Sequence, residues 1–112
     1  MLVEGSSHGA MNGTTEVTVV PAPRDSVRRV VRLVNVFNDD TAAVTLKLYL
    51  KDGATLRQIT ELPAIPAKER KEYPENGGVY VLDTTSKSLV AKLAGGVVAN
   101  QPVFTAHYGD SS

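Results

Sequence analysis

Apolar and polar residues alternate with a period of two along most of this chain, the mark of half-buried β-strands. The clearest run is residues 43–51 (AVTLKLYLK), with Val44, Leu46, Leu48 and Leu50 on one side and Thr45, Lys47, Tyr49 and Lys51 on the other. Asp52-Gly53 follows at once and predicts a hairpin turn. The return strand covers residues 54–60, where the opposite parity of Leu56 and Ile59 predicts a bulge or a change of face. Residues 27–37 (VRRVVRLVNVF) form the longest β-like run, with Val30, Val34 and Val36 on one face and Val31, Leu33 and Phe37 on the other. Residues 15–21 read as a first strand, ended by Pro21, which cannot donate to a ladder. Residues 79–83, 88–93 and 101–108 supply three more, with helix as the competitor at 88–93. Residues 68–73 read as either a strand or a single helical turn.

Between these runs lie the turn-formers: prolines at 21 and 23, Asn38-Asp39-Asp40-Thr41, a proline-broken crossing segment at 62–67, a loop at 74–78, and Gly95-Gly96. Seven or eight short strands with turn signals every 8 to 12 residues predict an all-β fold, a small antiparallel β-sandwich of Ig-like or jelly-roll-like kind. Residues 1–14 (MLVEGSSHGAMNGT) show no apolar period and are expected to be a flexible N-terminal arm, or an arm that orders only against a partner. Residues 15–112 are expected to be one domain, with the polar tail at 109–112 frayed. The apolar arm residues Leu2, Val3 and Met11 are candidates to seat in a partner's pockets.

At 112 residues the chain is long enough for one core without staples. With no cysteine there is no disulfide framework, thiolate metal site or cysteine nucleophile. Twelve basic side chains against twelve acidic ones argue against a dedicated nucleic-acid binder. No apolar run approaches a membrane span, no signal peptide is visible, and cytoplasmic synthesis is the default.

Candidate chemistry is thin. His8 lies in the arm and His107 in the last strand, and neither belongs to a nucleophile-elbow pattern. Asp39-Asp40 is too short a motif for a calcium loop. The paired glycines lack the lysine of a phosphate-binding loop. No catalytic residue, metal or cofactor is expected, and the chain reads as a non-enzyme. What stands out is a basic stripe, Arg24, Arg28, Arg29 and Arg32, with Arg29 projecting opposite to Arg28 and Arg32. It reads first as a solvated strand edge whose arginines deter edge-to-edge pairing, then as a contact for an acidic protein surface; without interleaved aromatics it suits a single-stranded nucleic acid least.

The strand-and-turn order resembles the small β-sandwich accessory proteins encoded among the structural genes of tailed bacteriophages, the capsid decoration (cement) proteins and small tail- or fibre-associated proteins. The resemblance covers residues 16–110. Its most typical pieces are Val34-Asn35-Val36-Phe37-Asn38, the Asp40-Thr41-Ala42 turn and the closing Ala106-His107-Tyr108-Gly109-Asp110. It implies a structural role on the virion, with capsid decoration the first expectation and a tail, baseplate or fibre position the second. The major capsid protein or other virion proteins would be partners, and the chain itself would be a dimer or trimer. A small receptor- or carbohydrate-binding module is the rival reading, and needs an exposed aromatic cluster.

Overall fold

The computed structural model describes residues 2–73 and 80–111. Its nine strands are β1 (Leu2–Ala10), β2 (Val17–Val20), β3 (Arg28–Phe37), β4 (Val44–Asp52), β5 (Thr55–Ile65), β6 (Arg70–Tyr73), β7 (Tyr80–Leu82), β8 (Lys87–Leu93) and β9 (Val103–Ser111). They build two antiparallel sheets. One has the order β1-β9-β3-β6, with β7 also on β3, and the other the order β2-β8-β4-β5. The all-β sandwich read from the alternation is therefore the observed fold; within 68–73 residues 70–73 are strand after a turn at Lys68, and 88–93 belong to a strand. The expected loop at 74–78 lies outside the described residues.

Between the sheets lie the inward positions of the alternating strands, including Leu46, Leu48, Ile65, Leu82, Leu89 and Ala91, all essentially inaccessible to water. The face of β4 is as its parity predicts. The faces of β3 are not. A register shift between Val31 and Leu33 inserts one residue, so Val31 joins Val34 and Val36 in the core and Val30 turns outward. The bulge expected near Leu56 and Ile59 occurs where Tyr49 pairs with Gln58 and Leu48 with Thr60. The 62–67 segment departs from expectation, because residues 62–65 continue β5. A second shift there lets Pro63 sit in an edge strand that does not need its N–H.

The flexible arm expected at 1–14 is corrected by β1, which pairs with β9 over nine residues from Leu2↔Ser111 to Ala10↔Val103 without a shift. The period of two is present here as smallness rather than hydrophobicity. Gly5, Ser7 and Gly9 face inward beneath the rings of β9. A Cβ on Gly5 would stand 2.8 Å from Tyr108 Cε2, and one on Gly9 would stand 3.1 Å from Phe104 Cζ. Ser7 Oγ donates to the Val19 carbonyl at 2.5 Å and clips β1 to the opposite sheet. In the tail expected to be frayed, residues 109–111 instead belong to β9, which runs to Ser111.

One end of the sandwich is sealed by polar side chains. Asn38 and Asp40 are fully buried where β3 runs into its loop. Asn38 Nδ2 donates to the carbonyls of Ala42 and Ile65, both at 2.9 Å, and Asn38 Oδ1 accepts from the Asp40 N–H at 3.0 Å. Asp40 accepts from the N–H groups of Thr41, Val98, Ala99 and Asn100 at 2.8–3.3 Å. Three loops are thereby tied together. The backbone donors, Val98 first, hold the Asp40 carboxyl at a pKa of about 2, below its ordinary 3.8.

This fixes an acid limit. A carboxyl whose folded pKa is depressed stabilises the fold fully above its unfolded pKa and loses that contribution as pH falls through the folded one. The urea midpoint is therefore expected to be flat from pH 7 to about 5 and to fall between about 4 and about 2. Asp40→Asn is expected to lower the midpoint at pH 7 and flatten the acid limb, which urea titrations at several pH values will show.

Candidate functional site

At the opposite end of the sandwich the sheets do not close. Between the β2–β3 loop, the end of β9 and the start of β1 lies a cavity of about 510 Å³. Val3, Pro21, Ala22 and Val27 form its apolar walls, and Arg24, Arg29, Tyr108 and Asp110 its polar lining. The loop enters it through a strained residue, Ser26, at φ 65°.

Arg29 is committed to the fold. Strand pairing places it beside Asp110, and the two make a bidentate pair, Nε to Oδ1 at 2.8 Å and Nη2 to Oδ2 at 2.9 Å. Its Nη1 donates to the Pro21 carbonyl at 2.8 Å, and its guanidinium stacks on Tyr108 at 4.2 Å from the ring centroid. The Arg29 hydrogen bond holds the Asp110 carboxyl below the usual carboxylate range, and the charges of Arg29 and Arg24 act in the same sense. Arg24 is different. It is exposed at the rim and, among the described residues, its side chain has no hydrogen-bonding or ion-pair partner. Among the described lining residues two cations, Arg24 and Arg29, stand against one anion, Asp110, which leaves Arg24 as the surplus positive charge at the mouth. Beside it Val3 is 58% exposed, an apolar side chain standing in water. The arrangement can hold a carboxylate flanked by an apolar group, as on the surface of another protein.

The expected contact residues thus divide. Val3, Arg24 and Arg29 come together here, with Arg29 as the support rather than the contact. Arg28 is exposed on the outward face of β3. Arg32 is exposed and reaches across β9 to Glu4 at 3.6 Å. Leu2 pairs with Ser111 at the end of β1. Met11 is corrected: it is 2% exposed and its apolar side chain belongs to the core cluster, where no partner reaches it, while its N–H bonds to the Pro102 carbonyl. Tyr108 and Asp110 were not foreseen as parts of the site. Their alternation with Ala106 puts them on one face, but only knowledge that β9 lies against β3 would bring them to Arg29.

His8 and His107 both stand exposed on the outer face of the first sheet, one on β1 and one on β9. Among the described residues no three His, Asp or Glu side chains gather to hold a metal ion. Among them, too, no helix is long and apolar enough to cross a membrane.

No family model matches the sequence, and no curated protein matches it. Solved structures do share the fold. A chain in the acidic stable capsid structure of Helicobacter pylori bacteriophage KHP30 superposes with a TM-score of 0.61 at 14% identity, covering 99% of this chain and 93% of that one. A chain of the cyanophage Pam1 capsid asymmetric unit superposes with a TM-score of 0.54 at 16% identity, covering 100% and 84%. The crystal structure of PirA follows with a TM-score of 0.51 at 15% identity, covering 92% of each chain. At these identities the likeness is one of architecture.

Proposed function

We propose that this chain is a non-catalytic structural protein of a phage virion, a decoration protein that docks on the assembled capsid and stabilises it. The observation that carries the reading is the open end of the sandwich, where exposed Val3 and an exposed Arg24 without a hydrogen-bonding or ion-pair partner among the described residues flank a cavity built on the Arg29–Asp110–Tyr108 cluster. A rigid, cationic and apolar rim on a small β-sandwich is suited to protein contact, with carboxylates of the shell as its complement. Support comes from two phage-capsid chains with the same architecture, each matched over most of its length and so of comparable size. Binding to many identical sites lets each contact be weak while the set holds. Copies of the chain associate with one another, as dimers or trimers, and the protein resides on the virion.

A tail or fibre position would use the same rim and is separated by where the protein is seen. The glycan-binding rival has less support. Among the aromatics whose side chains are described, Phe37 is exposed, Tyr49, Tyr73 and Tyr108 are half-buried and Phe104 is buried, so these five form no exposed aromatic cluster.

Purified protein is expected to co-sediment with capsids of its cognate phage and to raise their melting temperature. Arg24→Glu is expected to weaken binding about tenfold or more, since a charge reversal at a contact removes an attraction and adds a repulsion. Binding equal to that of the unaltered protein would place the contact elsewhere on the molecule.

A further inference from the structure

The sheets end in strands that differ in how well they are protected. An unpaired edge presents a row of free N–H and C=O groups, and folded proteins blunt such edges with prolines, bulges, charges or brevity. On this chain β2 and β6 have four residues each, and β2 carries a register shift. The long edge β5 carries Pro63 and two shifts. β1 has none of these devices. It ends its sheet, runs nine residues in unbroken register, contains no proline, and carries one charged residue, Glu4.

Its sequence is also complementary to itself. Laid antiparallel on a second β1 about a two-fold axis through Ser6, each residue meets the one whose number completes twelve. Glu4 then faces His8 of the other copy, twice, and on the inner face Gly5 meets Ser7, small against small. Glu4, Ser6 and His8 are all exposed on the outer face, and Glu4 keeps 72% of its side chain exposed beside Arg32. Neutral or protonated, His8 can donate to the carboxylate.

We propose that two copies of this chain pair antiparallel through β1, centred on Ser6, so that two five-stranded sheets become one continuous sheet across the dimer. The axis is isologous, so the contact closes on itself and does not propagate into filaments. The proposal gives a geometry to the self-association named above. Its experiment contains no capsid, so its failure is distinguishable from failure of docking.

The cysteine-free chain makes the test direct. Residues directly opposite across antiparallel strands have Cα atoms about 4.5–5.5 Å apart, within disulfide reach. Ser6→Cys is therefore expected to give a disulfide-linked dimer under mild oxidation. Ala10→Cys, on the same edge but roughly 26 Å from its twin, is expected to cross-link at least about tenfold less. In sedimentation equilibrium His8→Glu is expected to raise the dimer dissociation constant about tenfold, because carboxylates then face each other twice. The swap Glu4→His with His8→Glu restores it to within about threefold. Equal cross-linking of both cysteine variants, a monomer or trimer at all concentrations, or a swap as weak as the single variant would each overturn the pairing.

Discussion

Asn38→Ala is expected to lower the unfolding free energy by roughly 3–5 kcal/mol, since each buried group left without its partner costs about 1–3 kcal/mol. Four groups lose a bond at once: the carbonyls of Ala42, Ile65 and Pro66 and the N–H of Asp40. The Ile65 carbonyl and the Asp40 N–H cannot turn to water, because their bonds to Asn38 are buried. That is a large part of the total stability of a domain this size. The loops at 38–43 and 65–69 are then expected to loosen together, because Asn38 also bridges them through its backbone, its N–H on Glu69 and its carbonyl on the Lys68 N–H. Urea unfolding measures the loss, and hydrogen exchange at Val98–Asn100 measures its spread. Asp39→Ala in the same loop is the contrast. Asp39 is half-exposed and its carboxylate meets Lys68 in water, so a change of under about 1 kcal/mol is expected.

The second large effect lies at the other end of the first sheet. Gly5→Val is expected to destabilise the fold by about 1–3 kcal/mol through overpacking. A Cβ at 2.8 Å from Tyr108 forces the ring to move, and the ring cannot move freely while Arg29 stacks on it. Ser6→Thr, one residue on and facing outward, is expected to change stability by less than about 0.5 kcal/mol. The contrast between neighbouring positions is what a strand produces and an unstructured arm does not. Thermal unfolding of the two variants reads it, and equal small effects would remove β1 from the sheet. Loss of the tyrosine–arginine stack is also expected to weaken docking, because it frees the wall beside Arg24.

How much of this was legible in the sequence depends on what carried the signal. Strands whose inner face is made of large apolar residues, such as the Val44–Leu50 face of β4, announced their limits and their orientation. β3 announced its limits but not its faces, because a one-residue bulge at Arg32 flips every side chain beyond it and leaves no mark in composition. β1 was read as an arm because its inner face is glycine, serine and glycine, which an apolar period does not register. The signal was there as small residues at every second position, and it takes meaning only once Tyr108 and Phe104 are known to lie above them. Asp40 looked like turn chemistry and is that, but its burial depends on the loop at 97–100 folding back over it, a contact across about sixty residues. The site followed the same division. Arg24 was visible as one of four arginines in a basic stripe and Val3 as one of three apolar candidates before Thr15, whereas the pairing of Arg29 with Asp110 depends on a strand order that local pattern does not encode.

The claim that the open end of the sandwich faces a capsid is tested most directly by a cryo-EM reconstruction of cognate phage capsids incubated with the purified protein. The account predicts density for the sandwich on the shell, with Val3 and Arg24 at the contact and the Asn38–Asp40 end turned to solvent. Contact instead through the opposite end, at exposed Val98, or shells without added density, would contradict it.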